Sequence, residues 1–542
     1  GVGGVGAGAG AAGVGAAADI SVVWNTTSAY IENDAQVDAE KNVLVSAYSD
    51  KTVASSVLAG AGGGAAGVAG VVSVISVGSL LDGEAKNGLG GAKDHVDGNI
   101  SDTSILDILG TEHSAYTDGP KNTASGKISN TEVGSYLSKP ADPADSYINP
   151  ADPNATLKNT QAFIGYGAKV NAGENLTVKA KDKTSVVQTT TAGAGAGAAG
   201  VAGSLGVVLV HDSAEAFIAG GAAVNAKKTM SVDADTEENI LTIGITAGGA
   251  AAAGVTASVT VNVVSSDTAA YIGAADVNKN PNYETPDQSV AVNASSATNI
   301  INVAASGSGA GAAAVGGVLN TNVLTKNTQA FVAQGADVHA ENTVEIAADS
   351  SENIISAAVS IRGAGAAAVG AVASVNVIAN TTEAFVGGAL VDSDGNVRIS
   401  AVDDTLVVSV AALGTGAGVA GVGATASVNT ISSKTRSYIS ENSTVNARGN
   451  AAGVDVYDGT LDTNILSSLP SAPAGKGAVD VDQDGKSDGN VSGQASFTIA
   501  GGGDANNAGA SKDVDSGATG LGAKNVQQGV KGLSVTAVSN EK

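Results

Sequence analysis

Cysteine is absent from this chain of 542 residues, so neither disulfides nor thiol chemistry contributes to its fold or function. Aromatic residues make up 3% and proline contributes only 9 residues, so a core must be built from small aliphatic side chains. Lysine and arginine total 27 against 52 acidic residues, which gives a net charge of −25. This charge argues against nucleic acid and anionic membrane as partners. Undiluted apolar runs of about 18 residues are also missing, so we expect no membrane insertion.

What the chain contains instead is a repeat. An aromatic residue followed by Ile or Val recurs with spacings of 54, 54, 60, 54 and 53 residues, after a first gap of 133. A glycine lies 22 residues before each aromatic marker once the insertion in the first gap is set aside. A period of this length is typical of stacked repeat proteins, whose units bury their apolar faces only against their neighbours. The markers are Tyr30, Phe163, Phe217, Tyr271, Phe331, Phe385 and Tyr438.

Within one repeat, apolar and polar residues alternate with a period of two. In residues 363–416, Val372, Ser374 and Asn376 alternate with Ala373, Val375 and Val377, the pattern of a half-buried strand. We expect roughly four strands of 5–6 residues per repeat, separated by polar corners such as 380–382 and 392–396. The sequence therefore predicts an all-β fold, a parallel β-solenoid of seven repeats. With two or three coils in each repeat, the rod would be roughly 70–100 Å long.

Proline positions and repeat lengths locate two large insertions. All 9 prolines lie outside the repeat frame, as a continuous hydrogen-bonded ladder requires. A smaller enlargement of six residues carries Pro281 and Pro286, and it enters at the same corner as the second large insertion. The predicted organisation is solenoid over 1–79, a proline-rich exposed insertion over 80–158, solenoid over 159–449, an insertion with an Asp-rich loop over 450–530, and a further solenoid strand over 531–542.

The two ends of the chain are nearly in phase with the repeat. The second apolar residue of the strand after a marker lies 39 residues before the next marker in five cases, and joining Lys542 to Gly1 makes the distance from Val535 to Tyr30 equal to 37. We therefore expect the array to continue, either end to end into copies of itself or into neighbouring repeats of one giant polypeptide. The chain also begins with Gly1 rather than Met, which indicates a piece of something longer.

Two recurrent patterns have a structural and a ligand-binding interpretation. G-x-G-x-x-G begins at Gly8, Gly62, Gly195 and Gly416, but a dinucleotide site needs one such loop between a strand and a helix. Recurrence in register with the repeat favours a tightly packed small-residue strand or turn. The aromatic markers would suit flat ligands such as sugars if they formed an open ladder. A stack between coils is the favoured interpretation, because Ala and Ile flank the rings.

One acidic loop has the pattern of a metal site. Carboxylates occupy positions 1, 3, 5 and 9 and Gly485 occupies position 6, as in the first part of an EF-hand-like calcium loop. Position 12 is Val491, so the usual bidentate glutamate is missing. We predict that this loop binds calcium, and the alternative is a solvated acidic turn. The predicted ligands are Asp480, Asp482, Asp484 and Asp488.

The repeat motifs resemble those of a known family. The arm G-A-G-x-A-x-V-G, the strand ending in Val375-Asn376-Val377-Ile378, the marker T-x-A-[FY]-[IV] and the following A-x-V-x-A are similar to repeats of leukotoxin-family filamentous adhesins and other filamentous-haemagglutinin-like bacterial surface proteins. The resemblance covers all seven repeats and neither large insertion. It implies a right-handed parallel β-solenoid that is exported and displayed outside the cell, and it transfers no catalytic residue.

These observations favour a non-enzymatic, extracellular structural or adhesive fibre segment. Its partners would be further copies or repeats end to end, and host or cell-surface glycans or proteins at the insertions. One alternative is a polysaccharide-degrading enzyme on a β-helix scaffold, which requires carboxylates or basic residues clustered on one face. The four arginines are dispersed along the repeat, which weighs against that alternative. A self-assembling matrix or sheath protein is the other alternative, and it differs from an adhesin only in its partner.

Overall fold

The unit of the fold is a pair of long strands joined by a tight arch. The computed structural model describes residues 1–23, 25–78, 160–462 and 523–542. Side chains alternate between the inside and the outside over the 21 residues of β9 (Leu176–Ala196), and the chain then returns along the 20 residues of β10 (Ala199–Ile218). A short strand, β11 (Ala223–Ala226), follows before the next long strand, β12 (Thr229–Ala250). Each repeat is therefore one coil with two long strands and one short strand.

The coils stack in sequence order into three sheets of parallel strands, which we number in chain order. Sheet A contains the first long strand of each coil: β1 (Val2–Ala9), β5 (Val43–Gly63), β9, β12, β15 (Ser289–Ala310), β18 (Val344–Ala364), β21 (Val397–Ala417) and β26 (Leu533–Glu541). Sheet B contains the second: β2 (Ala12–Val23) with β3 (Thr27–Ile31), β6 (Ala66–Val77) with β7 (Thr160–Ile164), β10, β13 (Ala253–Ile272), β16 (Ala313–Val332), β19 (Ala367–Val386) and β22 (Ala420–Ile439). Sheet C contains the short strands β4 (Gln36–Ala39), β8 (Lys169–Ala172), β11, β14 (Asp276–Val277), β17 (Asp337–Ala340), β20 (Leu390–Ser393) and β23 (Thr444–Ala447).

Register between coils follows the sequence period. Ala199 of β10 pairs with Ala253 of β13, and Ile218 pairs with Ile272 at the other end of the same strands. Identical or similar residues therefore stack along the axis, and every strand within the stack has its backbone groups paired on both sides. The predicted fold class, an all-β parallel β-solenoid, is confirmed.

The predicted number of coils and strands per repeat is wrong. The segment 380–382, expected to be a corner, lies within β19, and its Thr382 hydroxyl donates a hydrogen bond of 3.2 Å to Asp403 of β21. A polar side chain can face inward here because the opposite sheet supplies its partner. Seven coils at strand spacing extend about 34 Å along the axis, and a strand of 20 residues spans about 66 Å across it. One copy is thus wider than it is long, and the predicted axial length of 70–100 Å is not correct for a single copy.

The core changes character along each long strand. Near sheet C, aliphatic residues of all three sheets fill the coil, among them Val178, Ile164 and Val170, which are fully buried. Towards the arch the inward residues become small, and sheets A and B approach closely. A Cβ on Gly316, an inward position of β16, would lie 2.0 Å from the Thr256 carbonyl oxygen. Only small side chains allow this approach, which accounts for the Ala and Gly content of the repeat.

The recurrent G-x-G-x-x-G pattern spans this arch between two strands, not a strand and a helix. Its second glycine lies in the turn, where a Cβ on Gly197 would be 2.0 Å from the Gly64 carbonyl oxygen. Its third glycine faces inward, as Gly200 does, 2.7 Å from the Gly249 oxygen by the same measure. Its first glycine, represented by Gly195, faces open space. Close packing thus explains the second and third glycines but not the first.

The insertions enter at the ends of strands. The six-residue enlargement forms a loop with a short 3-10 turn (Pro281–Tyr283) between β14 and β15. Within 450–530, β24 (Val454–Asp462) and β25 (Ala523–Val530) pair antiparallel. Both lie between the sheet C strand β23 and the sheet A strand β26, the corner expected from the sequence. The first large insertion, 80–158, lies outside the described residues.

Candidate functional sites in the buried ionic track and on the solenoid surface

A line of polar and charged side chains runs along the solenoid axis between sheets A and B. In each coil it takes two inward positions of sheet A, such as those of Asp182 and Thr184, and one of sheet B, such as that of Asp212. In-register stacking brings the members of successive coils into contact. We call this line the buried ionic track. Its charged members are all at most 4% exposed: Lys51, Asp182, Asp212, Glu238, Lys326, Glu352 and Asp403.

At one end of the track, a lysine lies between two aspartates of the neighbouring coil. Lys51 Nζ is 2.6 Å from Asp182 Oδ1 and 2.7 Å from Asp212 Oδ1. Burial alone would lower the pKa of Lys51, but the two carboxylates outweigh it and hold the pKa above its ordinary value. Burial raises the pKa of Asp182 to about 6, and the charge of Asp212 acts in the same direction. Burial also raises the pKa of Asp212, against the opposing effect of Lys51.

In the middle of the track, hydroxyl groups share the work of pairing with a second lysine. Ser266 and Thr298 donate hydrogen bonds of 2.8 and 2.6 Å to Glu238. Lys326 Nζ lies 3.0 Å from Glu352 Oε1, and both side chains are fully buried. Burial raises the pKa of Glu238, although Lys326 and the two hydroxyls oppose the shift. An isolated buried carboxylate would be far costlier, so these partners are what makes the track tolerable.

At the other end, Asp403 is the carboxyl group most inclined to hold a proton. Burial, reinforced by the charge of Glu352, raises its pKa to about 7. Thr405 has a single hydroxyl proton, and its oxygen lies 2.8 Å from Glu352 Oε2 but 3.1 Å from Asp403 Oδ1. When Thr405 donates to the nearer Glu352, a protonated Asp403 can itself donate to Thr405. The geometry and the direction of the pKa shift therefore agree.

The track organises the stack and is closed to substrates. Its side chains lie between two paired sheets, so no substrate reaches these carboxyl groups while the sheets stay together. Two lysines face five carboxyl groups among its charged members, so ionised carboxylates would be in excess. Each lysine is matched by carboxylates of the next coil, and a slip by one coil would leave charges buried without partners. We conclude that the track fixes the order of the coils.

The aromatic markers form one continuous column on the outward side of sheet B. Consecutive rings from Tyr30 to Tyr438 stack with centroids 4.9–5.0 Å apart and interplanar angles of at most 7°. Phe217, Tyr271 and Phe331 are at most 6% exposed, so their faces cover one another. The predicted stack between coils is confirmed. A flat ligand would find a free ring face only at the ends of the column, where Tyr30 is 50% exposed.

One surface cluster combines a histidine with carboxylates. His339 Nε2 lies 3.0 Å from Glu341, its Nδ1 lies 3.6 Å from Asp392, and the carboxylate of Glu284 is within 4.8 Å of the His339 and Glu341 ligand atoms. Such groups can ligate a divalent ion, but these contacts are also those of ordinary surface ion pairs. The sequence gave no warning of this cluster, because Glu284 comes from the six-residue enlargement, 55 residues before His339.

The remaining predictions about sites have mixed outcomes. The acidic loop with Asp480, Asp482, Asp484 and Asp488 lies outside the described residues, so calcium binding stays a prediction. Three arginines pair with a carboxylate of the neighbouring coil, Arg398 with Glu345 and Arg448 with Asp392 among them, at 2.8 and 2.9 Å. The fourth arginine, Arg362, is 2% exposed, and burial lowers its pKa. The cationic cluster that a polysaccharide-degrading site needs is not formed by these arginines.

Comparisons with family models, with curated proteins and with solved structures found no match for this chain. The resemblance to filamentous adhesins therefore rests on the repeat motifs alone and stays a prediction. In the part of the chain that the structure describes, no helical segment has the length and apolar character that crossing a bilayer requires.

Proposed function

We propose that this chain is a segment of an extracellular structural or adhesive fibre. Its repeating parallel β-solenoid is compatible with a structural rod. In such a rod, the backbone ladders of three sheets run along the fibre axis, and the stacked aromatic column and buried ionic track run beside them. Every coil is held by its two neighbours over about 45 strand residues, which makes bending or slipping costly.

The observation that carries this proposal is that both axial ends of the stack are open. At the C-terminal end, β22 presents an unpaired edge of 20 residues, with Val422 61% and Val428 50% exposed. At the N-terminal end, β2 is the outermost strand of sheet B, and Val14 is 67% exposed. Repeat proteins that end in solution carry polar caps, and long exposed strand edges are templates for further pairing. Open ends are what a segment of a longer array requires.

The chemistry of the surface guides the choice of partner. A net charge of −25 disfavours nucleic acids and anionic membranes. We therefore place host or cell-surface glycans and proteins as the partners of an adhesive form, with contact at the two large insertions. A rod without catalytic machinery is the simplest form of this function. The same open edges equally favour a self-assembling matrix or sheath protein that has no receptor.

Labelling of intact cells that produce the protein tests the proposal. Antibodies against the purified chain should label intact cells, and negative-stain images of the labelled material should show unbranched rods. Binding of the purified chain to glycan and protein arrays then separates an adhesin from a sheath protein. Labelling that appears only after the cells are permeabilised would contradict the proposal.

A further inference from the structure

We propose that the strand β26 of one copy completes the first coil of a second copy of this chain, so that copies join end to end into one continuous solenoid. The inference rests on the proposed fibre and names its axial partner. The two copies would meet as donor and acceptor, and the same contact would repeat along the axis. A contact of this heterologous kind generates an open filament rather than a closed ring.

Each end of sheet A carries half a strand, and the two halves are complementary. At the C-terminal end, β26 pairs with residues 397–405 of β21 and leaves residues 410–417 of that strand without a neighbour on that side. At the N-terminal end, β1 pairs with residues 56–63 of β5 and leaves residues 43–51 open. The step at one end therefore fits the step at the other. In the joint, β26 lies along residues 43–51 of the second copy, and β1 of that copy lies along residues 410–417 of the first.

The register of the joint needs no adjustment over a full coil. Following the pairing through the stack brings Val2 in line with Val410 and Ala39 in line with Ala447, with no insertion or deletion between them. The turns agree as well. Asp34 and Asn442 occupy the same place between sheets B and C, and both have left-handed backbone, with φ of 57° and 60°. All three sheets can thus continue at once.

The half-strands also account for the small phase difference seen in the sequence. Lys542 continues β26 and accepts a hydrogen bond from Val407, while Gly1 precedes β1 and accepts one from Ser56. In the joined strand, Lys542 stands opposite Leu406 and Gly1 opposite Ser409. Two positions between them, opposite Val407 and Val408, stay empty. These are the two residues by which the distance of 37 falls short of 39.

Each end lacks the apolar wall that the other end offers. Leu533 and Val535 point to the inner side of sheet A, yet they are 45% and 39% exposed, because no sheet B strand lies opposite them. In the first coil, Ile31 and Val37 lack the first half of the sheet A strand that would cover them, and both are only partly buried. In the second coil, the equivalents Ile164 and Val170 are fully buried. The joint would convert the first coil into one like the second.

Charges and rings match across the joint in the same register. Glu541 comes into line with Lys51, and Arg448 comes into line with Glu40, so both pairs bring opposite charges together. Tyr438 comes into line with Tyr30 of the second copy, which continues the aromatic column. These pairings select a second copy of this chain over an unrelated strand.

Cysteine cross-linking tests the joint, because the natural chain has no cysteine. Thr536 of one copy would pair with Ser46 of the next, at the strand spacing of about 4.8 Å that a disulfide can bridge. We expect the full chain carrying both Thr536→Cys and Ser46→Cys to give a ladder of disulfide-linked dimers, trimers and larger species under mild oxidation. Each single variant should give at most a dimer. Combining Thr536→Cys with Asp50→Cys places the thiols about 13 Å apart and serves as the matched control.

A second variant tests the same joint by association. Val535→Asp alters a side chain that is already exposed in a single copy, but in the joint it would bury an unpaired carboxylate. We expect association in sedimentation velocity to weaken about 100-fold or more. Ile361→Asp is the control, since Ile361 is 67% exposed on the outer face of an interior coil. Equal ladders from the in-register and shifted cysteine pairs, or undiminished association of Val535→Asp, would overturn the inference.

Failure of the joint and failure of the fibre can be told apart. Cell-surface rods from chains that do not cross-link through residues 536 and 46 would retain the proposed fibre and reject this joint. A clear cross-linked ladder from a protein that labels only permeabilised cells would retain the joint and reject the extracellular role.

Discussion

Replacing Asp403 by asparagine should stabilise the protein at alkaline pH. Asp403 is fully buried within β21, and Glu352 and Lys326 are the charged groups that face it. Asparagine keeps the shape and the ability to accept from Thr382 and Thr405, and it adds donors but no charge. The substitution thus removes the cost of ionising a buried carboxyl group.

The magnitude follows from the pKa. Burial raises the pKa of Asp403 from 3.8 to about 7, and each unit corresponds to about 1.36 kcal/mol. Ionised Asp403 therefore costs the folded state roughly 4 kcal/mol above pH 7 relative to the unfolded chain. The folded pKa is the higher one, so this stability is fully present below pH 3.8 and is lost as the pH rises through about 7. Asp182, whose pKa is raised to about 6, adds a loss of the same sign.

Urea midpoints measured between pH 4 and pH 8.5 at constant ionic strength test this reasoning. The parent chain should lose stability as the pH rises across that range, and Asp403→Asn should lose less. The gap between the two chains should close towards pH 4. Asp404→Asn changes the net charge equally on the outer face of the same strand, so it separates the buried effect from overall charge repulsion. An Asp403→Asn chain that is less stable than the parent at pH 8, or that follows its pH dependence unchanged, would refute the account of the track.

Three further predictions concern packing, pairing and metal binding. Gly316→Ala should destabilise by at least about 1 kcal/mol, because its Cβ would meet a backbone oxygen; Gly309→Ala, in open space on the outer face, should be neutral or stabilising by about 0.5–1 kcal/mol, and thermal melts that rank the two in the opposite order would contradict the packing at the arch. Lys51→Met should cost about 3–5 kcal/mol, since it leaves two buried carboxylates without their partner, whereas Lys183→Met on the surface should cost at most about 1 kcal/mol; equal urea midpoints for these two variants would show that the buried lysine is dispensable. Isothermal titration of the full chain should show calcium uptake that is lost when the four aspartates of the acidic loop are replaced by asparagine; heats that are unchanged by this replacement would place any calcium elsewhere.

The period and the alternation of the sequence predicted the solenoid, but not the length of its strands. Polar segments such as 380–382 looked like corners because a half-buried strand normally keeps its polar residues outside. Here Thr382 and Asn380 face inward and meet Asp403 and Thr405 of the opposite sheet. That compensation depends on which residues the arch brings face to face. A single repeat does not reveal it.

The buried ionic track escaped prediction for a related reason. Lys326 and Glu352 are 26 residues apart and belong to different strands of neighbouring sheets, so their pairing depends on the length of the coil. Once one coil per repeat is known, the inward positions follow from counting along β16 and β18. The aromatic column was predictable from the start, because identical spacing alone stacks the rings.

Electron cryo-microscopy of the purified chain at high concentration tests the central claim most directly. The account predicts unbranched filaments one coil wide, with about 4.8 Å between strands along the axis and a repeat of about 34 Å for each copy. Filaments whose strands run along the axis, or sheets formed by side-by-side contact of separate copies, would contradict a solenoid that grows by joining its ends.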